Sequence, residues 1–75
     1  MENRTIIFTD DTRGVVGSVQ HDSSIIQSLP RVGDTILDRA KLDYQEEFHT
    51  VEAIVYAVDF DYEAGVVRIY AKVKR

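Results

Sequence analysis

The last third of this chain constrains its fold most tightly, because two neighbouring runs alternate with a period of two. In residues 66–74, Val67, Ile69, Ala71 and Val73 fall on one side, and Arg68, Tyr70, Lys72 and Lys74 on the other. Successive strand side chains point to opposite faces, so this run reads as a strand with one apolar face. In residues 50–60, Val51, Ala53, Val55 and Ala57 share one face, and Ile54, Tyr56, Val58 and Phe60 share the other. A strand apolar on both faces belongs inside a sheet rather than at its edge. Asp61-Tyr62-Glu63-Ala64-Gly65 joins the two runs as a hairpin connection, with Gly65 placed for a left-handed φ. The hairpin is therefore expected to be the central pair of the sheet. Setting Phe60 opposite Val66 puts Val58 opposite Arg68, Ala57 opposite Ile69 and Tyr56 opposite Tyr70. Tyr56, Val58, Phe60, Arg68 and Tyr70 then gather on one face.

Composition points the same way. Val, Ile and Thr together number 22, against 3 Leu and 5 Ala. β-Branched side chains suit a pleated surface and are stiff in helices. With 75 residues, the chain is expected to form a single domain spanning 1–75. A chain of this size buries roughly 60% of its unfolded surface, so a partner subunit can matter to its stability.

The first half reads less cleanly. Residues 4–9 make a strand with Ile6 and Phe8 on one face and Thr5, Ile7 and Thr9 on the other. Asp10-Asp11-Thr12-Arg13-Gly14 is a turn, and residues 15–20 a second strand in which Gly17 marks a bulge. An antiparallel hairpin follows from these two strands. Asp22-Ser23-Ser24 can cap a helix start, and Ile25, Ile26 and Leu29 fall at helical spacing before Pro30 stops the run. This predicts a short helical turn, with an extended irregular segment as the alternative. In Leu29-Pro30-Arg31-Val32-Gly33-Asp34, Pro30 fixes one φ and Gly33 can supply a positive one. Asp34 can bond nearby backbone N–H groups, and Thr35-Ile36-Leu37 then enters a strand. Residues 38–48 suit a polar hairpin connection with strand ends; Leu42, Gln45 and Glu46 would also fit a helix, and Leu42 and Tyr44 a strand. The expected fold is mainly β: a small bent antiparallel sheet or SH3-like barrel of about five strands, with one short helical turn.

The run Leu29-Pro30-Arg31-Val32-Gly33-Asp34-Thr35-Ile36, the acidic-ended strand at residues 51–61 and the strand at residues 66–73 together resemble a type of short uncharacterised protein. Such proteins occur in bacteriophage and prophage genomes and in related bacterial reading frames. The resemblance covers about the C-terminal two thirds. It implies a small β-rich domain and carries no defined activity.

No constellation for chemistry is found. With no cysteine, a disulfide, thiolate nucleophile or iron–sulfur cluster is excluded, which fits a reducing cytoplasm. Asp59, Asp61 and Glu63 alternate as in an acidic calcium loop, but the sixth and twelfth positions from Asp59 hold Ala64 and Tyr70 instead of Gly and Glu. His21 and His49 have no second His at ligand spacing. Ser23, Ser24 and Ser28 lack a nucleophile elbow, and Gly14 and Gly17 lack the rest of a phosphate loop. Hence no catalytic, cofactor-binding or metal-binding residue is assigned, and no cofactor, small-molecule substrate or enzymatic activity is expected. Arg68, Lys72, Lys74 and Arg75 form a basic stripe around Tyr70, a pattern that single-strand binders use. The net charge of −4 weighs against it, because such affinity comes from phosphate neutralisation.

The expected function is therefore non-enzymatic, through protein–protein contact or self-association, as a phage or prophage accessory or structural protein. A small nucleic-acid-binding barrel is the alternative. The candidate interaction surface is Tyr56, Phe60, Arg68 and Tyr70. Either another segment or closure of the sheet covers this face, or part of it stays open and docks a partner. Met1-Glu2-Asn3-Arg4 has no apolar leader core, and the longest apolar run, residues 53–58, is far short of the ~20 a spanning helix needs. The cytoplasm of a bacterial host, or a virion, is the expected location.

Overall fold

The computed structural model describes residues 3–22 and 29–74. Five strands follow in chain order: β1 (Asn3–Asp10), β2 (Gly14–Asp22), β3 (Thr35–Ala40), β4 (His49–Asp61) and β5 (Val66–Val73). They form one sheet in the order β2-β1-β5-β4-β3, curled into a half-barrel. The mainly β class, the strand count and the bent sheet agree with the sequence pattern. No helix occurs among the described residues, and the helical turn expected between Ser23 and Ser28 lies outside them.

The sheet is mixed, which corrects the antiparallel expectation. β1–β2, β3–β4 and β4–β5 are antiparallel ladders, but β1 and β5 pair in parallel. The cause is arithmetic: the chain reverses direction at each connection. A fifth strand therefore runs the same way as the first, and curling brings the two side by side. β5 is the middle strand and β4 is paired on both edges, so the C-terminal hairpin lies inside the sheet as its two-sided apolarity requires.

The concave face holds the core: Ile6 and Phe8 from β1, Val16 from β2, Val51, Ala53 and Val55 from β4, and Val67, Ile69 and Ala71 from β5. Leu42, from the β3–β4 connection, is equally buried. Nothing in the polar run around Leu42 marked it as core. It is buried because the connection folds back across the barrel: Asp43 N–H donates to the Val16 carbonyl at 2.8 Å. Gln45 holds that turn in shape, accepting from Leu42 N–H at its side chain and donating its own N–H to the Leu42 carbonyl.

The two glycines singled out in the sequence adopt positive φ, 98° at Gly33 and 69° at Gly65. Gly33 turns the loop so that its N–H donates to the Val55 carbonyl at 2.8 Å, while Val55 N–H donates to the Asp34 carbonyl at 2.9 Å. Asp34 also accepts Arg31 N–H through its carboxylate. The loop is thereby stitched to β4 just before Tyr56. There the β4–β5 register shifts, with Val55 opposite Ala71 and Ala57 opposite Tyr70.

That bulge overturns the register inferred from sequence. Val58 pairs with Ile69 and Phe60 with Val67, not with Arg68 and Val66. An unbroken alternation assumes an unbroken ladder, and one inserted residue exchanges the faces beyond it. Val58 and Phe60 therefore turn to the concave side.

A candidate interaction face on the outside of the sheet

The bulge divides the sequence-derived surface. Tyr56, Arg68 and Tyr70 stay together on the convex face, and Phe60 leaves them. The Tyr56 and Tyr70 rings are tilted against each other with centroids 6.2 Å apart, a favourable aromatic contact. Ile54, opposite Lys72 on β5, extends the group along β4, and Tyr56 and Ile54 are exposed. On the other side, Ile7 of β1 lies beside Tyr70 through the parallel ladder. The convex face thus carries an apolar row of Ile7, Tyr70, Tyr56 and Ile54 across three strands. Ile7 could have been suspected as the single aliphatic among Thr5 and Thr9. Its place beside Tyr70 depends on the parallel pairing, which no local pattern encodes.

Charged pairs flank the row. Arg68 donates to Asp61 at 3.0 Å, Lys72 lies 2.8 Å from Asp11, and Lys74 lies 3.2 Å from Glu52. Asp61 also accepts the Ala64 N–H at the hairpin turn. That backbone bond, followed by the Arg68 contact, holds its carboxyl below its ordinary value of 3.8. The acidic alternation at residues 59–63 is thus partly committed to closing the hairpin and anchoring Arg68.

Phe60 lies at one mouth of the half-barrel, stacked with Tyr62 at 6.2 Å and 14°. These two rings help line a pocket of about 260 Å3 with Arg4, Leu29, Val66 and Val67.

A further polar contact has no counterpart in the sequence pattern. His21 Nε2 and Asp38 Oδ2 are 2.6 Å apart, joining β2 to β3. At the far end of the same line, the Arg13 guanidinium lies over the Tyr44 ring at 4.3 Å. Neither pair could be inferred from spacing, because curling alone brings the two outer strands together.

Among the described residues, no group of three or more His, Cys, Asp or Glu is placed to hold a metal ion. No helix among them is long and apolar enough to cross a membrane. Comparison with protein-family models, with curated proteins and with solved structures gives no match.

Proposed function

We propose that this chain is a non-enzymatic β domain that acts by protein contact through the convex face of β4 and β5. In keeping with the resemblance in its C-terminal two thirds, it is an accessory or structural protein of the phage or prophage type. It would work in the cytoplasm of a bacterial host or on a virion. The observation that carries this reading is the row of Ile7, Tyr70, Tyr56 and Ile54 on the outside of the sheet, with Tyr56 about half exposed. An apolar, aromatic centre inside a charged rim is how protein interfaces are built.

The alternative, a nucleic-acid surface, needs cations available to phosphate. Arg68, Lys72 and Lys74 each have a carboxylate within 3.2 Å, which offsets the stripe they form.

Affinity capture from the organism that encodes the chain, run in parallel with wild type and Tyr56→Glu, tests the proposal. Proteins retained by wild type and lost with Tyr56→Glu support it; identical capture by the two refutes it. Fluorescence anisotropy with a labelled single-stranded oligonucleotide at low salt tests the alternative. Binding that weakens steeply with salt and disappears in Arg68→Ala would replace protein contact with nucleic-acid recognition.

A further inference from the structure

We infer that the half-barrel has a second, closed state in which β2 and β3 form a ladder, and that Asp38 holds the chain in the open one by occupying the Arg39 N–H. The two outer edges of the sheet are complementary. Bonded and non-bonded pairs alternate along an antiparallel ladder, so the backbone groups of successive residues face opposite edges of a strand. On β4, the Val55 N–H and carbonyl bond to the loop before β3, while the Glu52 carbonyl accepts Lys74 N–H. Val51 and Ala53 therefore face β3 and bond to their ladder partners Asp38 and Ile36. That turns the backbone groups of Leu37 and Arg39 toward the seam. On β1, Asn3 N–H donates to the Gly65 carbonyl, so Ile6 and Phe8 face β2. They bond to their partners Val19 and Gly17, which turns the backbone groups of Ser18 and Gln20 toward the seam.

Contacts across the seam set these groups opposite each other. The Val16 carbonyl takes Asp43 N–H, Leu42 packs over Gly17, and His21 meets Asp38. All three lie on one antiparallel register. That register puts Gln20 opposite Arg39, each with its backbone groups pointing at the other strand. His21 and Asp38 beside them are then a non-bonded pair, the kind in which side chains come closest, in keeping with their separation of 2.6 Å. Closure therefore needs no slip in register. It needs the Arg39 N–H, which Asp38 Oδ1 accepts at 2.8 Å while Oδ2 is engaged by His21. The carboxylate stands in for the Gln20 carbonyl, and an inward-pointing charge of this kind keeps a strand edge from pairing. Moving that one donor from Asp38 to Gln20 lets the ladder form and removes both outer edges of the sheet. Asp38 thus sets whether the domain presents strand edges to its surroundings.

Amide hydrogen exchange of the full chain, followed residue by residue by NMR, tests this. Asp38→Val and Asp38→Ala remove the carboxylate. Either variant, once circular dichroism shows it folded, slows exchange at the Gln20 amide at least about tenfold relative to wild type. It also gives a scalar coupling from the Arg39 amide nitrogen to the Gln20 carbonyl carbon that wild type lacks. Asp38→Asn keeps an acceptor for the Arg39 N–H and exchanges as wild type does. A side chain that merely clasps the seam predicts the reverse, since losing a clasp speeds exchange. Unchanged or faster exchange at Gln20 in Asp38→Val and Asp38→Ala overturns the inference. So does slower exchange in a species that sedimentation equilibrium shows to be a dimer, because the edges have then paired between chains. Loss of folding in both variants overturns it as well, since Asp38 is then required by the fold rather than opposed to its closure. None of these outcomes bears on the convex face, which the capture experiment tests separately.

Discussion

Along β1, β5 and β4 every strand is bonded on both edges, through 7 residue pairs between β1 and β5 and 8 between β4 and β5. Among the described residues no ladder forms where β2 and β3 approach each other, and the one backbone bond near that line, Asp43 N–H to the Val16 carbonyl, comes from the connection after β3. The seam is closed by side chains instead. Leu42 packs so tightly over Gly17 that a Cβ there would lie 3.0 Å from its Cδ2, and His21 meets Asp38 at 2.6 Å. The contacts 16–43, 17–42 and 21–38 fit one antiparallel register, each step forward along β2 matching one step back along β3. The chain is thus aligned for a closed barrel but is ladder-bonded on one side only. Ladder bonds are numerous and cooperative, whereas a seam rests on a few contacts that can be lost one at a time. The seam should therefore open before the ladder does.

The largest expected effect is on the ladder side. Ile69 is fully buried in the middle strand, and Ile69→Ala should cost stability in the upper half of the ~2–5 kcal/mol range for such truncations, read from denaturant unfolding. A neutral result would mean that the concave face is not the core. Leu42→Ala should fall in the lower half of the same ~2–5 kcal/mol range, because a site at an unladdered edge can relax into the space vacated. Its sharper signature is hydrogen exchange: amides of β2 and β3 should exchange faster while those of β5 keep their protection. Uniform acceleration across all five strands would erase the distinction between seam and ladder.

The His21–Asp38 contact should show a coupling of about 0.5–1.5 kcal/mol in a double-mutant cycle of His21→Ala and Asp38→Ala. Zero coupling would mean that the His21–Asp38 contact does not help to hold the seam. The smallest effect concerns pH. The carboxyl of Asp61 is held below its ordinary value of 3.8, so the unfolded chain binds its proton first. The stability this confers is present above the unfolded value and is lost as pH falls through the lower folded one. Asp61→Asn should flatten that part of the acid limb of a stability–pH curve by lowering the neutral plateau slightly, and leave stability below the folded value nearly unchanged. An acid limb identical to wild type would show that Asp61 contributes nothing to pH-dependent stability.

How legible the molecule was in its sequence differs from element to element. The alternation of Val67, Ile69, Ala71 and Val73 identified both the strand and its buried face, because one hydrophobic face suffices to specify them. Ile6 and Phe8 were read correctly for the same reason. The positive φ of Gly33 and Gly65 followed from local turn chemistry. The candidate face was legible only in part. Tyr56, Arg68 and Tyr70 were grouped correctly, but Phe60 was placed with them because a bulge leaves no mark on an unbroken run of alternating residues. The stitching of Gly33 and Asp34 onto Val55 lies beside that bulge, and it joins residues about 20 positions apart.

By itself, the sequence determined that this is a small β domain, that the C-terminal hairpin lies inside the sheet, and that the turns at Gly33 and Gly65 need glycine. Each of these depends on residues close together in the chain, where periodicity and backbone sterics act. Only the tertiary structure decided that β1 runs parallel to β5, that Leu42 plugs the seam beside His21 and Asp38, and that Ile7 joins Tyr70 on the outer face. Those features arise from the curl of the sheet, which brings distant segments together through the summed twist of five strands rather than through any local pattern.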